Sequence, residues 1–229
     1  MEFIRSLDQL LADEGPFDGR TVVDVGCGAG DLVRWFAGQG SRVVGLDVPA
    51  LLARAAAAPR GGAERYVAGL GEAIPLAAAS ADRVVFAASL HHVAPARMAD
   101  AIREAARVLR PAGRAVFLEP VKRSGAYTDI THLYEDETRV LRLAVAALRA
   151  APRAGLRRAA EDLFYLERSF LDYERLMAVL VPEEERRREI LARARAVTVA
   201  RAAAAGVAFD AFRYRSIVRF TVLEKTGTA

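Results

Sequence analysis

The chain predicts an α/β fold built on a mostly parallel sheet with helices on both faces, and two observations carry this. Short, nearly continuous β-branched runs alternate five times with alanine-rich stretches of helical length between residues 20 and 120, and strands apolar on both faces belong to a buried parallel sheet. Proline and glycine punctuate that alternation where helices should begin and end. The length of 229 residues suits one domain with a large core.

In order, residues 1–19 read as an N-terminal helical segment. Strands follow at 21–25, 42–46, 65–68, 83–87 and 114–118, separated by helices at 31–38, 50–58 and 95–110. Pro49 and Pro59 bracket the second of these helices, and Pro111-Ala112-Gly113 closes the third. Beyond Pro120 the pattern changes: 122–129 reads as a mobile loop, 135–150 as a helix, 163–171 as a strand, 173–181 and 183–205 as helices, and 213–224 as a closing strand. The acids after Pro182 suit the positive end of a helix dipole.

Charge divides unevenly between the two halves. Residues 1–120 hold 13 arginines against 14 acids, whereas 121–229 hold 20 bases against 15 acids, so the whole net charge of +4 comes from the second half. The Arg186-Arg187-Arg188 run follows Glu183-Glu184-Glu185 at spacings that pair along a helix, a solvated face rather than a nucleic-acid surface. Ile190, Leu191, Ala194 and Val197 on that helix recur at core spacing. Arg149, Arg153, Arg157 and Arg158 form a purer basic cluster, suited to steering an anionic substrate or to solubility alone. The single cysteine, Cys27, excludes an intramolecular disulfide and a cysteine zinc cluster, and no metal is expected. The N-terminus carries acids where a secretory signal carries bases, and no apolar run approaches the ~20 residues of a membrane span; the expected location is cytoplasmic.

The sharpest motif is Val22-Val23-Asp24-Val25-Gly26-Cys27-Gly28-Ala29-Gly30, a buried strand entering a glycine loop that opens a helix. Alternate glycines let the backbone turn tightly and approach a ligand closely. A dinucleotide loop would place glycine where Asp31 stands, and an acid there repels a diphosphate. Asp24 at the strand end instead suits a ligand with an ammonium group. Asp47 ends the next strand, where a carboxylate can accept both hydroxyls of a ribose; taken alone, it could equally cap the helix at Pro49. Gly69-Leu70-Gly71-Glu72-Ala73-Ile74-Pro75-Leu76 and Ser89-Leu90-His91-His92-Val93 follow in order.

With Val108-Leu109-Arg110-Pro111-Ala112-Gly113-Arg114 as a fifth ordered element, residues 20–120 resemble a class I S-adenosylmethionine-dependent methyltransferase of the small-molecule, quinone-methylase-like type. The resemblance implies a Rossmann-like, seven-stranded, mostly parallel sheet with an antiparallel last strand. It also implies a cofactor-binding core over 20–120, a helical lid and sixth strand over 121–212, and a last strand over 213–229. By the same resemblance, Asp24 lies near the ammonium of S-adenosylmethionine, Gly26, Cys27, Gly28 and Gly30 line its methionine moiety, and Asp47 and Val48 meet the ribose. Gly71 and Glu72 lie against the adenine, and Ser89 beside the sulfonium. Leu70 stands where family members often carry an aspartate that accepts from the adenine amino group, so Glu72, a backbone carbonyl or apolar packing has to replace it.

His91 and Glu119 fall at predicted carboxyl ends of strands and are the candidate catalytic residues. Arg123, Tyr127, His132 and Tyr134, in the segment expected to cover the site, are candidates for the substrate. The function expected is methyl transfer to an O, N or C atom of a small metabolite, releasing S-adenosylhomocysteine. A tRNA- or protein-modifying methyltransferase and a non-catalytic cofactor-binding protein are the alternatives; a nucleic-acid partner is not expected, and a homodimer is allowed.

Overall fold

The computed structural model describes residues 7–58, 60–122 and 125–227. In chain order the elements are α1 (Leu7–Ala12), β1 (Thr21–Val25), α2 (Asp31–Gly38), β2 (Arg42–Asp47), α3 (Pro49–Ala57), β3 (Glu64–Ala68), β4 (Ala81–Ala87), α4 (Met98–Val108), β5 (Leu109–Val121), α5 (Ala126–Thr131), α6 (Thr138–Arg149), β6 (Leu156–Arg168), α7 (Phe170–Leu180), α8 (Glu184–Ala204) and β7 (Tyr214–Lys225). The Pro59 stop lies outside the described residues. The seven strands form one sheet in the order β3-β2-β1-β4-β5-β7-β6. β3, β2, β1, β4 and β5 pair in parallel, and the last strands run antiparallel. β1 lies between β2 and β4, with Asp24 registered against Gly45 on one side and Val85 on the other. The chain winds outward in both directions from this point, which opens a crevice beyond the carboxyl ends of β1 and β4.

The chain divides into two compact units. The larger comprises Leu11–Glu119, Val140–Leu163 and the residues from Arg219 onward. On one face of its strands Val23, Val25, Val44, Leu46, Val84, Phe86 and Phe117 meet Ile102 and Ala105 of α4 and Ala144 and Leu148 of α6. Phe86 and Phe117 stack at 4.9 Å with their planes 16° apart. Phe17, Trp35 and Phe36 form an edge-to-face cluster with centroids 4.9–5.9 Å apart. The four-residue buried run Val22–Val25 explains why β1 shows no apolar–polar alternation in the sequence.

The smaller unit comprises residues up to Leu10, Pro120–Arg139 and Phe164–Val218. Ile130, Phe170, Tyr173, Met177, Ile190, Ala194 and Tyr214 form its core. Ile190, Leu191, Ala194 and Val197 of α8 pack there as their spacing predicts. The Tyr173 hydroxyl donates to the Ile130 carbonyl at 2.8 Å, and Thr198 and Tyr214 share a buried hydroxyl contact. On the outer side of α8, Arg188 faces Glu184 at 3.9 Å with both side chains exposed, the solvated face expected of that run.

Three sequence expectations shift. The strand expected at 163–171 is β6, which begins seven residues earlier and stops at Arg168. It is an edge strand with exposed polar residues through most of its first half, so apolar patterning could not mark its start. Its end is set by a capping box: Ser169 Oγ accepts from the Asp172 amide while Asp172 accepts from the Ser169 amide, starting α7 at Phe170. The stretch read as a loop over 122–129 contains the start of α5, held by burial of Ile130 and by the Asp129–Arg201 pair at 2.7 Å. The basic cluster around Arg149–Arg158 is partly neutralised, because Arg157 pairs with Glu224 at 2.5 Å and Arg158 with Glu161 at 3.4 Å. No described helix is long and apolar enough to cross a membrane.

Phe117 is fully buried against Phe86 in the centre of the larger core. Phe117→Ala should therefore lower the unfolding free energy by about 3–5 kcal/mol, measured by urea titration followed by circular dichroism.

Candidate active site

The glycine loop leaves β1 at Gly26, whose φ of +75° and whose contact with the turn after β4 both demand glycine: a Cβ would stand 2.5 Å from the Ser89 Cβ. Gly28 is also left-handed, but open space surrounds the position its Cβ would take. The loop thus turns a bare backbone surface outward, a cradle for a ligand. Its own amides are met from β2, since Gly26 and Cys27 donate to the Leu46 carbonyl at 2.8 and 3.1 Å. Gly30 becomes the N-cap of α2. Arg34, one turn into that helix, donates to the Ala29 carbonyl at 2.9 Å and pairs with Asp31 at 2.5 Å, strapping the far side of the loop. Sequence reasoning missed this arginine, although the i, i+3 spacing to Asp31 was visible.

Asp47 is bonded through both carboxylate oxygens. Its Oδ2 accepts from the Gly28 amide at 2.8 Å and its Oδ1 from the Val48 amide at 2.7 Å. Val48 is the N-cap of α3 and receives no side-chain cap, so Asp47 ties the end of β2 to the glycine loop instead of capping the helix. Each carboxylate oxygen keeps a lone pair for a further donor.

Asp24 is buried beside the loop, and its Oδ1 has no hydrogen-bond partner. Burial, and secondarily the charge of Asp47, raise its carboxyl to about 7. A buried carboxylate oxygen without a partner, next to a backbone cradle, fits a ligand that presents a cation there. Burial likewise pushes the Cys27 thiol up to about 12, aided by Asp24 and Asp47, so Cys27 is a small packed side chain and no nucleophile.

The register Asp47↔Ala68 and the bond from the Gly69 amide to the Asp47 carbonyl bring the ends of β2 and β3 together. Val48 and Leu70, which follow these ends, expose 40% and 51% of their surface. Gly71 lies against Phe86 and Val25, where a Cβ would approach each to 3.2 Å, and Glu72 is half-buried. Two large apolar side chains beside a close-packed glycine offer a surface for a flat ring.

At the end of β4, Ala88 holds a left-handed φ of 54°, a conformation that costs energy outside glycine and concentrates at functional sites. It turns Ser89 so that its Oγ donates to the Val25 carbonyl at 2.5 Å. Glu119, from the end of β5, accepts the Leu90 amide at 3.0 Å with Oε1 and lies 2.5 Å from His91 Nδ1 with Oε2. Both side chains are buried. The imidazole and the Glu119 carboxyl share the Nδ1–Oε2 bond, with the direction of donation set by the tautomer.

The substrate candidates separate. Within the smaller unit Tyr127 lines a cleft with Lys122, Arg215 and Ser216. Tyr134 packs on the unit's core beneath the Arg186 guanidinium, 5.8 Å from its ring centroid, and His132 faces Asp136 at 3.5 Å; neither lines that cleft. Arg123 lies outside the described residues. Arg215 and Ser216 carried no sequence signal, because they sit on alternating positions of an otherwise unremarked strand.

A family model described as a methyltransferase domain matches residues 23–117. An uncharacterized methyltransferase of Mycobacterium bovis is 43% identical over 111 residues, covering 48% of this chain and 42% of that protein. The ubiquinone/menaquinone biosynthesis C-methyltransferase UbiE of Paracoccus denitrificans is 35% identical over 111 residues, covering 45% and 44%. The similarity spans less than half the length of these curated relatives. In three dimensions, the crystal structure of a Bacillus halodurans protein superposes with a TM-score of 0.64 at 18% identity, over 97% of this chain and 99% of that one, which shows the shared fold. The matched segment contains the glycine loop, Asp47, the Ser89–His91 turn and most of β5, so residues 23–117 are a methyltransferase domain of the class I S-adenosylmethionine-dependent family.

Proposed function

We propose that the chain moves a methyl group from S-adenosylmethionine to an O, N or C atom of a small metabolite. The observation that carries this is the unpartnered, buried Asp24 Oδ1 beside a glycine loop held by Asp47. In this reading Asp24 faces the ammonium group and Gly26, Cys27, Gly28 and Gly30 follow the methionine chain. Asp47 takes the ribose hydroxyls with its remaining lone pairs, with Val48 alongside. Val48, Leu70 and Gly71 sandwich the adenine by apolar contact, with Glu72 at its edge; this replaces the aspartate absent at position 70.

The bound sulfonium supplies a methyl group that is already activated, so the protein's share of the work is alignment. Ser89 braces the loop through Val25, holding the donor end in line. His91 is assigned to take the acceptor's proton where the acceptor carries one, and Glu119 to hold the ring's orientation. His91→Gln should lower kcat about 10²-fold or more with an O–H or N–H acceptor while leaving cofactor affinity in place. Transfer of radiolabel from the cofactor methyl into a small-molecule cell extract reads this out, and an unchanged kcat would return His91 to a purely structural role.

Two binding predictions test the cofactor assignment. Asp47→Ala removes the Gly28 and Val48 amide bonds together with the ribose contacts, and should weaken S-adenosylhomocysteine binding by about 1–3 kcal/mol in isothermal titration. Asp24 supplies a pH dependence. The folded chain keeps the Asp24 proton up to about pH 7, whereas an unfolded aspartate loses it near ~4. Between these values the folded state binds more protons, so this group's contribution to stability falls as pH rises. A ligand ammonium favours the ionised carboxylate, so S-adenosylhomocysteine affinity should rise about tenfold from pH 6 to pH 8 and then level off. Asp24→Asn should flatten that profile; a flat profile in the unsubstituted protein would remove Asp24 from the ammonium.

A further inference from the structure

Within the larger unit, the two faces of β2 are covered differently. A Cβ on Gly45 would stand 2.8 Å from Val33 of α2, so Val43, two residues earlier, shares the α2 face with its register partner Glu64. Arg42 and Val44 alternate to the other face, where Thr21 of β1 registers with Arg42 and Arg65 of β3 with Val44. The described chain between β3 and β4 runs from Ala68 to Ala81 without a helix, so the connection leaving β3 adds none to this face. A recess of about 400 Å³ lies at the amino ends of β1, β2 and β3, and Thr21, Arg42, Val44, Ala63 and Arg65 are in its lining. That volume is within the range of small-molecule sites.

Arg42 and Arg65 are diagonal neighbours on adjacent strands, close enough for long side chains to act on one ligand. Both are exposed. The Arg65 guanidinium has no hydrogen-bond or ion-pair partner among the described residues, and that of Arg42 reaches Thr21 Oγ1 at a long 3.5 Å. The acid in the lining, Glu64, is buried and accepts the Gly61 and Gly62 amides at 2.8 and 2.7 Å, one with each oxygen. Two guanidiniums without a carboxylate to answer them, beside a hydroxyl and an apolar floor, suit a ligand with more than one negative charge.

We propose that this recess binds a small phosphate monoester, its phosphoryl oxygens held by the Arg42 and Arg65 guanidiniums and the Thr21 hydroxyl and its organic part lying against Val44 and Ala63. A phosphate monoester is doubly charged above pH ~6 and offers oxygens to two guanidinium forks at once, whereas a carboxylate fills one. Arg42 begins β2 and Asp47 ends it, about 16 Å away along the strand. The recess is therefore a second site, remote from the glycine loop, and it does not depend on the methyl-transfer reading.

The test is isothermal titration with phenyl phosphate and with benzoate, in phosphate-free buffer at pH ~7.5 and about 0.15 M ionic strength. Phenyl phosphate should bind at least about tenfold more tightly than benzoate, and Arg42→Gln and Arg65→Gln should each weaken it about tenfold. Arg193→Gln removes the same charge from an exposed position on α8 and should leave the constant unchanged. Equal binding of the two probes, an unaltered phenyl phosphate constant in Arg42→Gln or Arg65→Gln, or an equal loss in Arg193→Gln would overturn the site.

Discussion

Where parallel strands end, their loops leave backbone amides that have to be met by something other than the ladder. In this chain carboxylates from neighbouring elements meet them. Asp47 accepts the Gly28 amide, Glu119 the Leu90 amide, Asp82 the Thr21 amide, Glu104 the Ile74 amide, and Glu64 the amides of Gly61 and Gly62. The first two lie at the crevice between β1 and β4, and the geometry of the site follows from them. Asp47 holds the glycine loop in its open form, and Glu119 holds the turn carrying Ser89 and His91. Both acids sit at the carboxyl ends of their strands, so the residues that satisfy the fold are the ones proposed to face the ligand.

That economy explains what the sequence discloses. Asp24, the glycine loop, Asp47 and the Ser89–His91 turn lie within a few residues of strands whose apolar runs are unmistakable, so their placement follows from local pattern. The smaller unit is different. Its core joins Ile130, Tyr173, Ile190 and Tyr214, residues separated by up to 84 positions, and no short-range period records such a meeting. α5 forms because Ile130 is buried and Asp129 finds Arg201, neither of which local propensity signals. The cleft residues Lys122, Tyr127 and Arg215 come together only through this packing. The Ser169–Asp172 capping box lies at the end of the stretch 163–171, whose aromatic and apolar residues read as strand.

The charge excess of the second half also changes meaning once partners are known. Arg157, Arg158 and Arg219 each face Glu224 or Glu161, and Arg114 joins Glu14 to Glu224. These pairs are partly exposed and individually worth little, but they take half of the Arg149–Arg158 cluster out of any role in attracting an anion over distance. Lys122 is likewise paired, its ammonium held between Thr131 and Glu137, a charge defined by its position and not by its number.

The early start of β6 has one more consequence. β6 is the last strand of the sheet, so one row of its backbone amides and carbonyls has no strand beside it. Such an edge is a template on which another chain could add a strand. Here the exposed stretch carries Arg157, Arg158, Glu161 and Asp162, side chains an incoming strand would have to desolvate. The polar residues that concealed this strand from sequence patterning are the ones that keep the sheet from growing into an aggregate.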